Sequence, residues 1–227
     1  MEDYLRSTEF LDADSPAIIE FARSRAAGAS GAAEKAVRIF YAVRDEIRYD
    51  PYSLDLSRSH FKASATLARG RGFCIPKAVL LAAACRAEGV PSRLRFADVR
   101  NHLTTERLKS LMGGDVFYFH GYTELFLRNR WIRVTPTFNL SLCERFNVKP
   151  LDFDGEHDAV FHQFDRLGNR HMEYLKDHGA YADLPYEKVV EVFEIHYLPR
   201  VGSATPLAAG DFEAEAAADC AGWSKPV

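Results

Sequence analysis

Cys74 and His120 are the residues whose types and settings could do chemistry. A thiol attacks a carbonyl as the thiolate, so a reactive cysteine needs its pKa lowered. Cys74 opens the run Cys-Ile-Pro-Lys-Ala-Val-Leu-Leu-Ala-Ala-Ala-Cys-Arg-Ala-Glu, which reads as a helix with Pro76 in its first turn and Gly89 closing it ahead of Pro91. At a helix start the macrodipole and the unpaired backbone N–H groups favour an anion. Those N–H groups can also hold the oxyanion of a tetrahedral intermediate. Gly72 leaves room for a substrate to approach. Such a setting suits acyl transfer. By position alone it suits a buried structural thiol equally well, and Cys85, mid-helix among alanines, is read as one.

The elements around this pair can be read from periodicity. The Cys74 helix is apolar all round between Ala78 and Cys85, which places it in the middle of the fold. Ser15 and Pro16 start a helix running to Ala27, and Ala36, Ile39, Phe40, Val43 and Ile47 mark one face of a second from Ala32 to Ile47. A short helix over Ala63–Ala68 leads into Arg69-Gly70-Arg71-Gly72, a flexible approach to Cys74. The pattern then changes to strands at Arg93–Val99 and Val116–Leu127, with Asn129-Arg130 turning the chain back into Trp131–Val134. His120 falls on the second of these, and Thr104–Met112 reads as a helix before it. A last strand is expected at Val189–Leu198, while residues 141–185 carry no assignable element. These elements give one α+β domain over residues 1–199 and a poorly structured tail over 200–227, too sparing in large apolar residues to fold alone.

Composition excludes several other functions. The net charge of −3 gives no reason to expect nucleic acid or an anionic membrane as partner. The acidic N-terminal Met-Glu-Asp-Tyr-Leu lacks the pattern of a signal peptide, and the longest apolar run, Ala78–Cys85, is too short to span a bilayer. With Cys74 and Cys85 roughly 16 Å apart along one helix, reduced thiols and a cytoplasmic setting are expected. His157, His162, His171 and His178 follow no common zinc spacing, and Asp152-x-Asp154-Gly155 places its glycine too early for a calcium loop. That segment is read as a solvated loop shaping a cleft, with neither metal nor cofactor expected.

In combination, the motifs resemble the transglutaminase-like superfamily of papain-type folds. Its pattern is Gly-x-Cys opening a helix, Gly-Ile/Val-Pro-x-Arg opening a strand, His-x-Trp/Tyr-x-Glu, then Trp and Asp-Pro-Thr. Here these read Gly72-Phe73-Cys74, Gly89-Val90-Pro91-Ser92-Arg93, His120-Gly121-Tyr122-Thr123-Glu124, Trp131 and Thr135-Pro136-Thr137, with Tyr49 at the family's upstream tyrosine. The resemblance covers Ala32 to Asn139 and implies a central helix carrying Cys74 packed on an antiparallel sheet. It implies Cys74 as nucleophile, His120 as base, and an oxyanion hole from the Cys74 N–H with Tyr49 as a further donor.

This chain departs from the pattern where the family has the aspartate that orients the histidine. Thr135 stands there, able to accept from an imidazole N–H but not to stabilise imidazolium as a carboxylate does. Thr137 would be displaced along the strand by about 6.6 Å, and Asp152, Asp154 or Asp158 could supply an acid from the unassigned segment. The expectation is a cysteine-dependent acyl-transfer enzyme, peptidase or amidase or transglutaminase, acting on a peptide, protein or small amide. The alternative is a catalytically degenerate binding module of the same fold.

Overall fold

In the computed structural model, residues 1–102, 104–161, 171–201 and 210–220 are described. The chain begins with α1 (Pro16–Ala26) and α2 (Ala32–Glu46), followed by β1 (Arg48–Tyr49), α3 (Ala63–Arg69), β2 (Arg71–Gly72) and α4 (Cys74–Ala87). Next come β3 (Ser92–Asn101), α5 (Glu106–Met112), β4 (Val116–Leu127), β5 (Arg130–Val134), α6 (Leu140–Arg145) and β6 (Met172–Tyr181). The last helices are α7 (Tyr186–His196), α8 (Leu198–Val201) and α9 (Phe212–Cys220). The result is the expected α+β fold, with an antiparallel sheet ordered β5-β4-β3-β6 and a small parallel pair, β1 and β2.

α4 is the central post, and every residue from Ala78 to Cys85 is fully buried. It packs against α1, α2 and α3 on one side and against β3 and β4 on the other. A helix so enclosed has no polar face to offer, which is why its sequence shows no amphipathic period. Lys77 is the exception: also fully buried, it donates to Arg44 O at 2.9 Å and to Ile47 O, so it caps the C-terminus of α2 from inside. The hairpin between β4 and β5 turns on Arg128 and Asn129, both left-handed (φ 50° and 64°), one residue earlier than the expected Asn129-Arg130.

Three expectations are corrected. Val189–Leu198 is not a strand: α7 runs through most of it, burying Val189 and Phe193 at helical spacing, with tertiary packing overriding the β-branched composition. The 141–185 segment contains α6 and β6, the latter a largely solvent-facing edge strand paired to β3. In the tail, residues 212–220 form α9, seated by buried Phe212 and Ala216 and tied by Glu215 to Arg107 at 2.7 Å and to Tyr52. Trp223, the large apolar residue that could dock the tail, and His162 lie outside the described residues. No helix among the described residues is long and apolar enough to cross a membrane.

Candidate active site

Two contacts bring Cys74 and His120 to one place. β4 crosses the first turns of α4, where a Cβ on Gly121 would sit 3.1 Å from Ile75 Cγ1 and 3.3 Å from Ile75 Cα, so a side chain there would press strand and helix apart by a few tenths of an ångström. Two residues on, Thr123 Oγ1 donates to Ala78 O at 2.9 Å. His120 thereby lies beside the N-terminus of the helix that Cys74 opens. The supposedly flexible approach to Cys74 is in fact β2, whose pairing with β1 sets Tyr49 opposite Gly72, two residues before the cysteine. Asn139 Oδ1 accepts the Tyr49 N–H at 3.1 Å and fixes that strand.

Cys74, His120 and Tyr49 line one cavity, with about 60 Å³ of closed space behind a mouth open to solvent. The half-buried thiol is pushed up to about 11 by burial, although the backbone N–H groups of Gly121, Ile75 and Cys74 face the sulfur and favour the thiolate. Burial holds the His120 imidazole down to about 4, so the ring is neutral at physiological pH. The resting site therefore pairs a thiol with a neutral imidazole. Tyr49 is held well above the usual phenol range, by burial first and by the neighbouring Cys74 second, and so keeps its proton to donate.

Thr135 is buried at the end of β5 but lies outside the cavity wall. His120 Nε2 is buried without a hydrogen-bond partner, so no bond joins it to Thr135, whose hydroxyl faces the Tyr174 phenol. The alternative acids are engaged elsewhere. Asp158 pairs with Arg133 at 2.6 Å, Asp154 with His157 at 2.7 Å, and exposed Asp152 lies 3.8 Å from Arg44.

Other motif residues prove structural. Arg93 and Glu124 face each other across β3 and β4, with Nε 2.6 Å from Oε2, and the Arg93 guanidinium lies 4.0 Å over the Trp131 ring. Three separated motif positions thus form one cluster around buried Glu124. Phe193 and Tyr197 in the cavity wall were missed in the sequence. Their four-residue spacing was the available signal, hidden by the strand reading.

The family model described as the transglutaminase-like superfamily matches residues 19–136, just over half of the chain. The chain belongs to the transglutaminase-like superfamily. That membership supports a cysteine-enzyme type of function in general. Among solved structures, a "putative cysteine protease" from Cytophaga hutchinsonii is similar at 16% identity and a TM-score of 0.47, over 78% of this chain and 53% of that one. A "putative protease" from Parabacteroides distasonis is similar at 14% identity and a TM-score of 0.36, over 55% of this chain and 25% of that one. The chain thus spans about half the length of the first and a quarter of the second. No curated protein matches the sequence.

Proposed function

We propose that this transglutaminase-like protein is a cysteine-dependent acyl-transfer enzyme acting on amide bonds. The observation that carries the reading is the shared cavity: the thiol at the start of α4 and the imidazole on β4 open into one pocket, with backbone N–H groups around the sulfur. Cys74 Sγ attacks the amide carbonyl while His120, neutral and so able to accept, takes the thiol proton. The Cys74 N–H and the Tyr49 hydroxyl hold the oxyanion. Collapse breaks the C–N bond, and the amine leaves with the proton from His120. Water then gives a proton to His120, attacks the thioester and releases the acid, and the sulfur recovers its proton. Thr135 is the neutral candidate for orienting the ring, a role that requires its hydroxyl to turn from Tyr174 to His120. Water is preferred to an amine as acceptor because it is always at hand, and the substrate is a peptide, protein or small amide. Buried Cys85, whose thiol is free, suits a reducing, cytoplasmic setting.

Amine release from a panel of amides, with and without an added primary amine, tests this. Turnover lost in Cys74→Ala supports the reading, and turnover surviving that change contradicts it. A second reading, a binding module without turnover, is favoured by the unpartnered His120 Nε2 and the missing aspartate. Under it, wild type and Cys74→Ala bind the same amides equally and neither releases amine.

A further inference from the structure

We infer that the cavity at Cys74 selects an amide whose acyl part is an uncharged aromatic or aliphatic group. The inference rests on the acyl-transfer reading for the reaction and on the cavity for the substrate class.

The closed space beside Cys74 is about 60 Å³, which excludes a folded partner and takes part of a single side chain, the remainder lying in the open mouth. Phenols apart, Cys74 and His120 are the polar side chains among the described residues of its wall. Leu108, Leu111 and Met112 of α5 form one side, and Phe193 of α7 with Tyr197 just beyond it forms another. The Tyr197 hydroxyl is already used: it accepts the Tyr118 N–H at 2.6 Å and donates to Tyr118 O at 3.0 Å, which leaves its ring to the cavity. Among the described residues no carboxylate, ammonium or guanidinium group lines the space, so a charged substrate group would find no partner from them there.

Chemistry places the apolar group on the acyl side. The amine must depart before water can attack, whereas the acyl group stays tethered to Sγ throughout the thioester stage. The apolar wall beside Sγ suits the part that stays. Phe193 and Tyr197 lie beyond the residues matched by the family, so this wall is a feature of the chain's own C-terminal region.

Site-resolved alkylation of Cys74 reads this preference without requiring turnover. The probes are N-benzyl-iodoacetamide, iodoacetamide and iodoacetate, each rate divided by that of free glutathione. The expected result is saturable labelling by the benzyl reagent, about tenfold or more faster than iodoacetamide, with iodoacetate slowest. Equal corrected rates, or iodoacetate fastest, overturn the inference. Leu111→Arg, at a half-buried position, should shift the preference toward iodoacetate. Should that variant unfold, phenylacetamide should protect wild-type Cys74 from iodoacetamide where acetamide does not, and equal protection also overturns the inference. A benzyl preference without turnover of any arylacyl amide upholds the cavity and removes the enzyme reading. Turnover without that preference removes the cavity assignment alone.

Discussion

Asp98 Oδ1 accepts the Phe119 N–H at 2.9 Å, and this bond pins β4 one residue before His120. The register jumps here from Ala97↔His120 to Val99↔Phe117, so Tyr118 and Phe119 stand opposite Asp98 alone. Phe119 takes a left-handed backbone (φ 59°) and stacks on Phe96 with ring centroids 4.4 Å apart. Such a conformation costs a bulky residue about 1–3 kcal/mol and persists only when its surroundings hold it. A bulge of this kind re-aims the following side chain, here the proposed base. The same Asp98 oxygen meets His178 Nε2 at 2.8 Å.

Asp98→Ala is therefore expected to lower stability by about 1–3 kcal/mol and to reduce kcat more than it raises KM. Asp98→Asn, which keeps an acceptor, should recover most of both. Urea unfolding and amide turnover on the same preparations check this, and an Asp98→Ala protein with unchanged kcat removes the positioning role.

The buried thiol sets the pH dependence of labelling in the free protein. With Cys74 pushed up to about 11, alkylation should climb about tenfold per pH unit past the usual thiol value of about 8.5. His120, held down to about 4, carries no charge across that range. The His120→Ala profile should then overlie that of wild type while turnover falls. A plateau near neutrality in wild type, absent in His120→Ala, would show a resting ion pair instead.

Lys77 links stability to pH in a definite direction. Burial brings its ammonium down to about 7 in the folded chain, against about 10.4 when unfolded. Between those values the unfolded state binds the extra proton, so rising pH favours the folded state by up to about 1.4 kcal/mol per unit. Wild type should gain on Lys77→Met between pH 7 and pH 10 in urea titrations, and parallel stability curves would refute the linkage.

Glu124 is 3% exposed and meets both Arg93 (2.6 Å) and Arg95 (3.2 Å). Glu124→Ala removes a buried carboxylate shared by two half-buried guanidinium groups and is expected to cost about 1–3 kcal/mol. Because the cluster supports β3 and β4 without entering the cavity, the double change Glu124→Leu with Arg93→Met should recover stability. A double variant as unstable as the single one would contradict this.

Much of the frame was legible because local signals agreed with it. Pro76, Gly89 and an unbroken apolar run marked α4 to within a residue, and aromatic strand composition marked β4 and β5. α7 was misread because Val189, Val192 and Ile195 favour strands, although Val189, Phe193 and Tyr197 keep helical spacing. β6 was silent because an edge strand carrying Glu173, Lys176 and Asp177 shows no clean alternation. At the site, types and order were readable, but burial was not: a helix start argues for a lowered thiol pKa, and the apolar enclosure outweighs it. The Thr135–Tyr174 approach and the Asp98 joint depend on contacts across β6, the strand that the sequence concealed.

The most direct test of the central claim is intact-protein mass spectrometry after mixing with an arylacyl amide or its activated ester and quenching in acid. The account predicts an acyl adduct on Cys74, absent in Cys74→Ala and formed about a hundredfold or more slowly in His120→Ala. No adduct at Cys74, or an adduct forming equally fast without His120, would contradict it.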